Sequence, residues 1–181
     1  LKLVLTLYMG KYLGLTDLGT YGLVSAYVAI LIPFAGMRLD YVVSRDIVDT
    51  DPEHLVHKLR DQFAFYGLNY VIMTVLALAL MLLPIDGVNH KFIAITLGLS
   101  ILESFAAVTN GNIVSLRRPI LANALFFTRS SSWVIPVIAL GLYDESFRNA
   151  DTIFALWFVG IVLSLLATAY YWREFPWSKT L

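Results

Sequence analysis

The sequence contains no cysteine, which excludes a disulfide framework, a thiol nucleophile and a cysteine-ligated metal site. Charge is also scarce: Asp, Glu, Lys and Arg make up 14% of the 181 residues, whereas a soluble domain has about 25%. The formal net charge is zero, so the chain lacks the basic excess that is typical of proteins that bind nucleic acid. The remaining residues are largely apolar, at 59% hydrophobic, and this composition favours a membrane protein.

Apolar runs long enough to cross a bilayer, which takes about 20 residues, recur along the chain. Five of them carry at most one charge each: Leu18–Met37, Gln62–Ile85, Phe92–Leu116, Pro119–Tyr143 and Thr152–Trp172. A shorter run, Leu3–Gly10, is typical of a span cut at its start, so we expect a fragment that begins inside its first helix. The sequence predicts an all-α polytopic transmembrane helix bundle of about six spans, near residues 1–11, 18–44, 62–85, 92–116, 119–143 and 152–172.

Lysine and arginine are distributed unequally between alternate connectors of these spans. The connectors at one end carry seven of them, and those at the other end carry three. Because cytoplasmic connectors are enriched in Lys and Arg, we expect the seven-charge end, with the C-terminal end of the fragment, in the cytoplasm. The seven are Arg45, Lys58, Arg60, Arg117, Arg118, Arg173 and Lys179, and the three are Lys11, Lys91 and Arg148.

The ionisable residues Asp40, Glu103 and Arg129 fall inside the predicted spans. A charge at the bilayer centre costs about 2.5–3.5 kcal/mol on insertion scales, so such groups normally face a cavity or pair with a partner. The predicted depths of Arg129 and Glu103 differ by roughly 5 Å along the helix axes. Two interpretations of Arg129 follow: it forms an ion pair with Glu103, or it is a cation that faces a cavity.

Helical spacing also aligns polar or small residues within single spans. Small residues on one face favour close helix packing, and polar ones favour either packing or a cavity. Pro33 and Pro136 each remove one helix hydrogen bond, so we expect kinks at these positions. The aligned residues are Thr96, Ser100, Glu103, Ala107 and Asn110 in the fourth span, Gly22, Ala26, Ala29, Pro33, Gly36, Asp40 and Ser44 in the second, Gln62, Tyr66, Asn69 and Met73 in the third, and Trp157, Gly160, Ser164, Thr168 and Tyr171 in the sixth.

The stretch Lys11–Val48, KYLGLTDLGTYGLVSAYVAILIPFAGMRLDYVVSRDIV, has a more specific pattern. It resembles the polysaccharide-biosynthesis proteins, the O-antigen and capsule flippases of the multidrug/oligosaccharidyl-lipid/polysaccharide (MOP) flippase superfamily. The LRRP motif (Leu116–Pro119) between the fourth and fifth spans fits as well. The pattern consists of Leu13-Gly14, Asp17, Gly19, Tyr21, a long apolar span and Arg45 just past its end.

The resemblance implies a MATE-like fold of two six-helix lobes around a central cavity, of which this chain would be the N-terminal lobe. It implies a transporter of the prokaryotic cytoplasmic (inner) membrane that moves lipid-linked oligosaccharide or polysaccharide repeat units by alternating access. No cofactor is expected, apart from a possible coupling ion, H⁺ or Na⁺. The implied partners are a polyprenyl-diphosphate-linked oligosaccharide, membrane lipid and the second six-helix lobe, and no nucleic acid.

A diphosphate cargo would need fixed positive charge on its path through the membrane. Arginine suits phosphate because its planar guanidinium stays protonated and donates two parallel hydrogen bonds. Hydroxyl and amide groups would suit the sugar portion. The candidate cavity residues are Arg129, Glu103, Asp40, Asn110, Ser100, Asn69 and Ser132.

Two other functions remain open. A multidrug exporter of the same superfamily would carry a cationic cargo, for which Asp40 and Glu103 offer negative charge. An integral-membrane enzyme acting on lipid-linked sugars would need a catalytic set of residues. The sequence shows no paired carboxylates on one membrane face and no histidine-rich metal set, since His54 and His57 share one predicted surface helix and His90 lies at the opposite end. We therefore expect no enzymatic activity and no metal site.

Overall fold

The computed structural model describes residues 1–36, 39–48, 50–83 and 89–175, apart from the side chains at positions 40, 52 and 53. Within these residues the chain is helical and contains no strand. A π-helical segment, Thr128–Ser132, separates α6 from α7, and a 3₁₀ turn, Glu145–Phe147, precedes α8. The helices are α1 (Lys2–Tyr12), α2 (Leu15–Gly36), α3 (Leu39–Asp46), α4 (Pro52–Leu82), α5 (His90–Ser115), α6 (Pro119–Phe127), α7 (Val134–Tyr143) and α8 (Ala150–Trp172).

Five stretches of the described chain are long and apolar enough to cross a membrane. This confirms the all-α class and the multi-pass membrane character that the composition predicts. The first span of the prediction corresponds to α1, which has 11 residues and is too short to be counted among the five. The five are Leu15–Gly36, His54–Leu82, His90–Ser115, Pro119–Tyr143 and Ala150–Trp172.

Helix α4 begins ten residues earlier than the sequence predicts. Pro52 stands at its first position and Asp51 at its N-cap, where the Asp51 carbonyl accepts the Leu55 N–H at 2.9 Å. Much of the connector between the second and third predicted spans is therefore the first part of the same helix. At 31 residues, α4 is roughly 46 Å long, longer than the ~30 Å hydrocarbon core, so one end of it projects beyond the lipid.

In the second predicted span, 18–44, the structure describes α2 up to Gly36 and α3 from Leu39. Residues 37 and 38 lie outside the described chain. Pro33 lies inside α2. Asn69 of α4 donates its side-chain N–H to the Ala35 carbonyl at 2.9 Å, and the Tyr66 ring covers Gly36 so closely that a Cβ there would lie 2.8 Å from its Cε1 atom. Side chains of α4 thus complete the end of α2.

Helix α5 lies at the centre of the bundle and packs against α2, α4, α6 and α8. At one end, which we call the Lys91 end, the Lys91 ammonium contacts the Asp151 carboxylate at 2.6 Å. Asn89 and Asn149 cap α5 and α8 at this end. At the opposite Trp172 end, α3 and the start of α4 close the bundle with an apolar cluster: Ile47, Leu55, Leu59, Ile113, Ala122, Leu125 and Trp172.

The stripe of small residues on α2 lies in two environments. Gly36 is buried and packs against the Tyr66 ring of α4. Gly22, Ala26, Ala29 and Pro33 are exposed, whereas the buried face of α2 carries larger residues such as Val24 and Val28. These four residues lie on the outer surface of the bundle, where a small-residue face allows close approach of another helix.

We predict that the Trp172 end is cytoplasmic, because the larger share of Lys and Arg lies in its connectors. The chain has no native cysteine, so single cysteines report sidedness directly. In sealed cells, an impermeant thiol reagent is expected to label Asn89→Cys and Asn149→Cys and to leave His54→Cys unlabelled until the cells are opened. Labelling of position 54 from outside, with positions 89 and 149 protected, would reverse the orientation.

Candidate functional site

Arg129 is positioned by the π-helical segment Thr128–Ser132 in the middle of the span Pro119–Tyr143. The segment ends at Ser132, four residues before Pro136. Because proline has no N–H, Pro136 cannot donate the helical hydrogen bond to the Ser132 carbonyl. π-Helical turns inside α-helices are rare and frequently occur at functional sites. The kink that the sequence predicts at Pro136 thus corresponds to a change of helix type one turn earlier, and this change carries Arg129.

Arg129 and Glu103 form an ion pair in the interior of the bundle. The Arg129 Nη1 atom donates to the Glu103 carboxylate Oε2 at 2.7 Å and to the Glu103 backbone carbonyl at 3.0 Å. Both side chains are 9% exposed, so the pair is almost withdrawn from its surroundings. Of the two interpretations that the sequence leaves open, the pairing of Arg129 with Glu103 is the one observed.

The guanidinium is not fully satisfied by this pair. Its Nε atom is buried and has no hydrogen-bond partner among the described residues. Its Cζ atom lies 5.4 Å from the centre of the Phe126 ring, a distance typical of a cation–π contact. A buried donor without a partner costs free energy, and here the unpaired donor belongs to a cation inside a membrane span.

Trp157 of α8 holds the second oxygen of Glu103. Its indole N–H donates to Oε1 at 2.8 Å, so the carboxylate accepts a hydrogen bond at each oxygen. The Trp157 ring stacks on Trp133, with ring centres 5.5 Å apart and planes at 13°. Both indoles are buried, and the Trp157 N–H holds the Glu103 oxygen that Arg129 does not contact.

Gly160 allows α8 to approach the π-helical segment. A Cβ at this position would lie 3.0 Å from Trp133 Cδ1 and 3.2 Å from the Thr128 backbone carbonyl, tighter than ordinary carbon contacts. The close approach brings Trp157, one turn earlier on α8, against the π segment and Glu103. Gly160 belongs to the stripe that helical spacing predicts on the last span, and this close approach is the reason for a small residue there.

Lys2 is a second cation near this group, and the sequence reasoning missed it. Its ammonium lies 5.9 Å from the centre of the Trp157 ring. The sequence contains a signal for it, a lysine at the start of the apolar run Leu3–Gly10. The count of Lys and Arg in the connectors does not include this lysine. The group formed by Lys2, Glu103, Arg129 and Trp157 has two cations and one carboxylate, and we call it the Glu103 cluster.

The other predicted cavity residues are not brought together with Arg129, except for Ser132, which shares its π segment. The Ser132 and Ser100 hydroxyls donate to the carbonyls one turn earlier, of Thr128 and Thr96. The Asn110 Oδ1 atom is buried without a described partner, two turns along α5 from Glu103. Asn69 serves the end of α2, as described above. The side chain of Asp40 lies outside the described residues.

A second buried polar contact was not predicted. The Asn112 side chain of α5 donates to the Gln62 Oε1 atom of α4 at 2.8 Å, and both residues are fully buried. A cavity of about 240 Å³ lies near the end of α2, lined by Pro33, Tyr66 and Ser104 among others. The described chain contains no group of three or more His, Cys, Asp or Glu residues able to hold a metal ion.

At the Lys91 end, the Asp144 carboxylate accepts the Ser146 backbone N–H at 2.8 Å. This hydrogen bond, together with one from the Ser146 side chain, lowers the pKa of the Asp144 carboxyl below its usual value. Asp144 is fully exposed and remote from the Glu103 cluster, so its carboxylate shapes the connector before α8 and not the interior.

The chain was compared with known proteins. No protein-family model matches it, and no curated protein or solved structure shows significant similarity to it. The features that bear on function are therefore the geometry of the Glu103 cluster and the resemblance of the stretch Lys11–Val48.

Proposed function

We propose that this chain is a lobe of a membrane transporter that moves polyprenyl-diphosphate-linked oligosaccharides across the cytoplasmic membrane. The observation that carries the proposal is a permanent cation, Arg129, held inside a membrane span with its Nε donor unpaired. Ionisable residues within spans are costly and usually belong to a substrate path. The resemblance of Lys11–Val48 to polysaccharide flippases supports a diphosphate as the anionic part of the cargo.

The geometry suggests how such a site would work. Without cargo, Glu103 neutralises Arg129, so the membrane interior contains no unbalanced charge at this point. A diphosphate offers several oxygens in the geometry that a guanidinium prefers, and it would take the Nη and Nε donors in place of Glu103. The Trp157 N–H would keep Glu103 held at its other oxygen. Glu103 would thus act as an internal substitute for the cargo anion.

The exposed stripe of small residues on α2 supports the second part of the proposal, a partner lobe. Gly22, Ala26, Ala29 and Pro33 present a surface to which another helix can approach closely. An assembly of two lobes would cover this face and enclose a path between them. We expect the isolated chain to have no transport activity, since one lobe supplies one wall of such a path.

No described contact favours the multidrug exporter. Its cationic cargo would require a free carboxylate, and both oxygens of Glu103 already accept hydrogen bonds, from Arg129 and Trp157. The enzyme alternative would require a catalytic set near lipid-linked sugars, and the described residues of the Glu103 cluster include one carboxylate and no histidine.

Transport by the complete protein in proteoliposomes tests the proposal, with a fluorescent polyprenyl-diphosphate oligosaccharide as cargo. The double variant Arg129→Met with Glu103→Gln removes the cation and its counter-charge together. We expect it to remain folded and to transport at least roughly tenfold more slowly than the parent, since one lost charge-assisted hydrogen bond accounts for about that factor. Arg129→Lys is expected to retain part of the rate, because Lys binds phosphate as a point charge.

The control is a cargo of the same lipid and sugar that lacks the diphosphate, whose rate should not depend on residue 129. A double variant that is folded and transports at the parental rate would show that Arg129 is part of the architecture alone.

A further inference from the structure

Lys2 differs from Arg129 in its exposure. Arg129 is 8% exposed, whereas the Lys2 side chain lies on the outer surface of the bundle. Helix α1 ends at Tyr12, at the Lys91 end, where the Arg148 guanidinium lies 5.1 Å from the centre of the Tyr12 ring. Lys2 stands ten residues before Tyr12, roughly 15 Å along the helix. This depth is about half of the ~30 Å hydrocarbon core.

An exposed ammonium at this depth cannot lie in lipid at low cost. From the middle of the core the nearest interface is farther than the four-carbon stem of a lysine reaches, so snorkelling does not remove the penalty. The one described contact of the ammonium is the face of the buried Trp157 ring at 5.9 Å. The remaining solvation of the charge must come from water or from polar groups beyond the described surface.

The exposed surface of α1 divides into two faces of different chemistry. Lys2, Thr6 and Gly10 follow at four-residue steps and are all exposed. Leu3 and Leu7, which are 74% and 67% exposed, lie about 100° further around the helix. The second face has the character of a lipid-facing surface. The first face carries the Lys2 cation, the Thr6 hydroxyl, which donates to the Lys2 backbone carbonyl at 3.1 Å, and a residue without a side chain. It therefore lacks the large apolar side chains of the second face.

We propose that the Lys2–Thr6–Gly10 face of α1 borders a water-filled pathway, and that Lys2 is the cation that an entering anion meets before it reaches Arg129. The order follows from the exposure of the two cations. Trp157 connects them, since its ring contacts the Lys2 ammonium and its N–H holds the Glu103 carboxylate that pairs with Arg129. The inference deepens the proposed function by naming the entry position, and it relies on that function for the identity of the anion alone.

Cysteine accessibility tests the pathway in the complete protein reconstituted in liposomes. Thr6→Cys places a thiol one helical turn from Lys2, and Leu7→Cys is the matched control on the adjacent face. Two methanethiosulfonate reagents of similar size are used, one with a sulfonate and one with a trimethylammonium group. We expect both reagents to label Thr6→Cys at least roughly tenfold faster than Leu7→Cys, since a thiolate forms in water and not in hydrocarbon.

The charge of Lys2 is tested by the ratio of the two rates at Thr6→Cys. A positive charge about 5–6 Å away attracts the sulfonate reagent and repels the ammonium reagent, so adding Lys2→Gln should lower the sulfonate-to-ammonium ratio by roughly fivefold or more. Lys2→Arg should leave the ratio unchanged. Inorganic pyrophosphate, as a water-soluble probe anion, should slow sulfonate labelling in the Lys2 protein and have little effect after Lys2→Gln.

Labelling of Thr6→Cys as slow as that of Leu7→Cys would overturn the pathway. A ratio that Lys2→Gln leaves unchanged, or that Lys2→Arg lowers equally, would overturn the role of Lys2. If Lys2→Gln does not fold, the pyrophosphate measurement on Thr6→Cys with Lys2 in place still tests the proposal. Pyrophosphate that fails to slow sulfonate labelling of this protein would contradict the proposal by itself. None of these readouts uses oligosaccharide transport. A protein that labels as expected and moves no oligosaccharide would contradict the proposed function and leave the anion pathway standing.

Discussion

Glu103→Gln is expected to lower the free energy of unfolding by about 3–5 kcal/mol, because it leaves the buried Arg129 guanidinium without a counter-charge. The Gln side chain keeps the shape of the site and can still accept the Trp157 N–H, so lost packing does not contribute. Arg129→Met should lower the free energy of unfolding by a similar amount. It leaves a buried anion without a counter-charge, since the Glu103 carboxylate then keeps only the hydrogen bond from Trp157. Thermal unfolding in detergent, followed by size-exclusion recovery, measures both.

The double variant, Arg129→Met with Glu103→Gln, is expected to be more stable than either single variant, because no buried charge remains in it. The gain over the sum of the single effects is the coupling between the two residues. Asp151→Asn is the matched control: it breaks the Lys91–Asp151 pair, whose side chains are 64% and 63% exposed, and should cost at most about 1 kcal/mol. Additive single effects in the double variant would contradict a direct interaction between Arg129 and Glu103.

Gly160→Ala is the second substitution with a large expected effect, about 1–3 kcal/mol of destabilisation, the usual cost of overpacking an interior. The new methyl group would meet the Thr128 carbonyl and the Trp133 side chain at 3.0–3.2 Å. Backbone on one side and a buried indole on the other leave little room to yield. The shift would separate α8 from the π-helical segment and lengthen the Trp157–Glu103 hydrogen bond.

Gly98→Ala is the control for helix propensity. Gly98 lies inside α5, and a Cβ there meets no atom within 4 Å, so this change is expected to be neutral or to stabilise by about 0.5–1 kcal/mol, the usual difference between Gly and Ala in a helix. In the same unfolding assay, Gly160→Ala is expected to lose stability and Gly98→Ala to lose none. Equal effects at positions 98 and 160 would mean that the contact between α8 and the π segment is not tight.

The positions of the long helices follow from the sequence, because a span needs about 20 apolar residues whatever its neighbours are. For this reason α5, α8 and the span Pro119–Tyr143 lie within a few residues of their predicted ranges. The difference at α4 occurs where polar residues decide the boundary, since a charged segment before residue 62 continues the helix beyond the lipid.

The sequence by itself also determined that Arg129 and Glu103 are the unusual residues of the interior, since charge inside a span is costly at any position. Tertiary structure alone decided that they pair, because the pairing depends on how α5 and the π segment are rotated toward each other. It likewise placed Trp157 on the free oxygen of Glu103 and Lys2 on the Trp157 ring, contacts between residues 54 and 155 positions apart in the chain. Periodicity describes the face of one helix, and it contains no information about which faces of different helices meet.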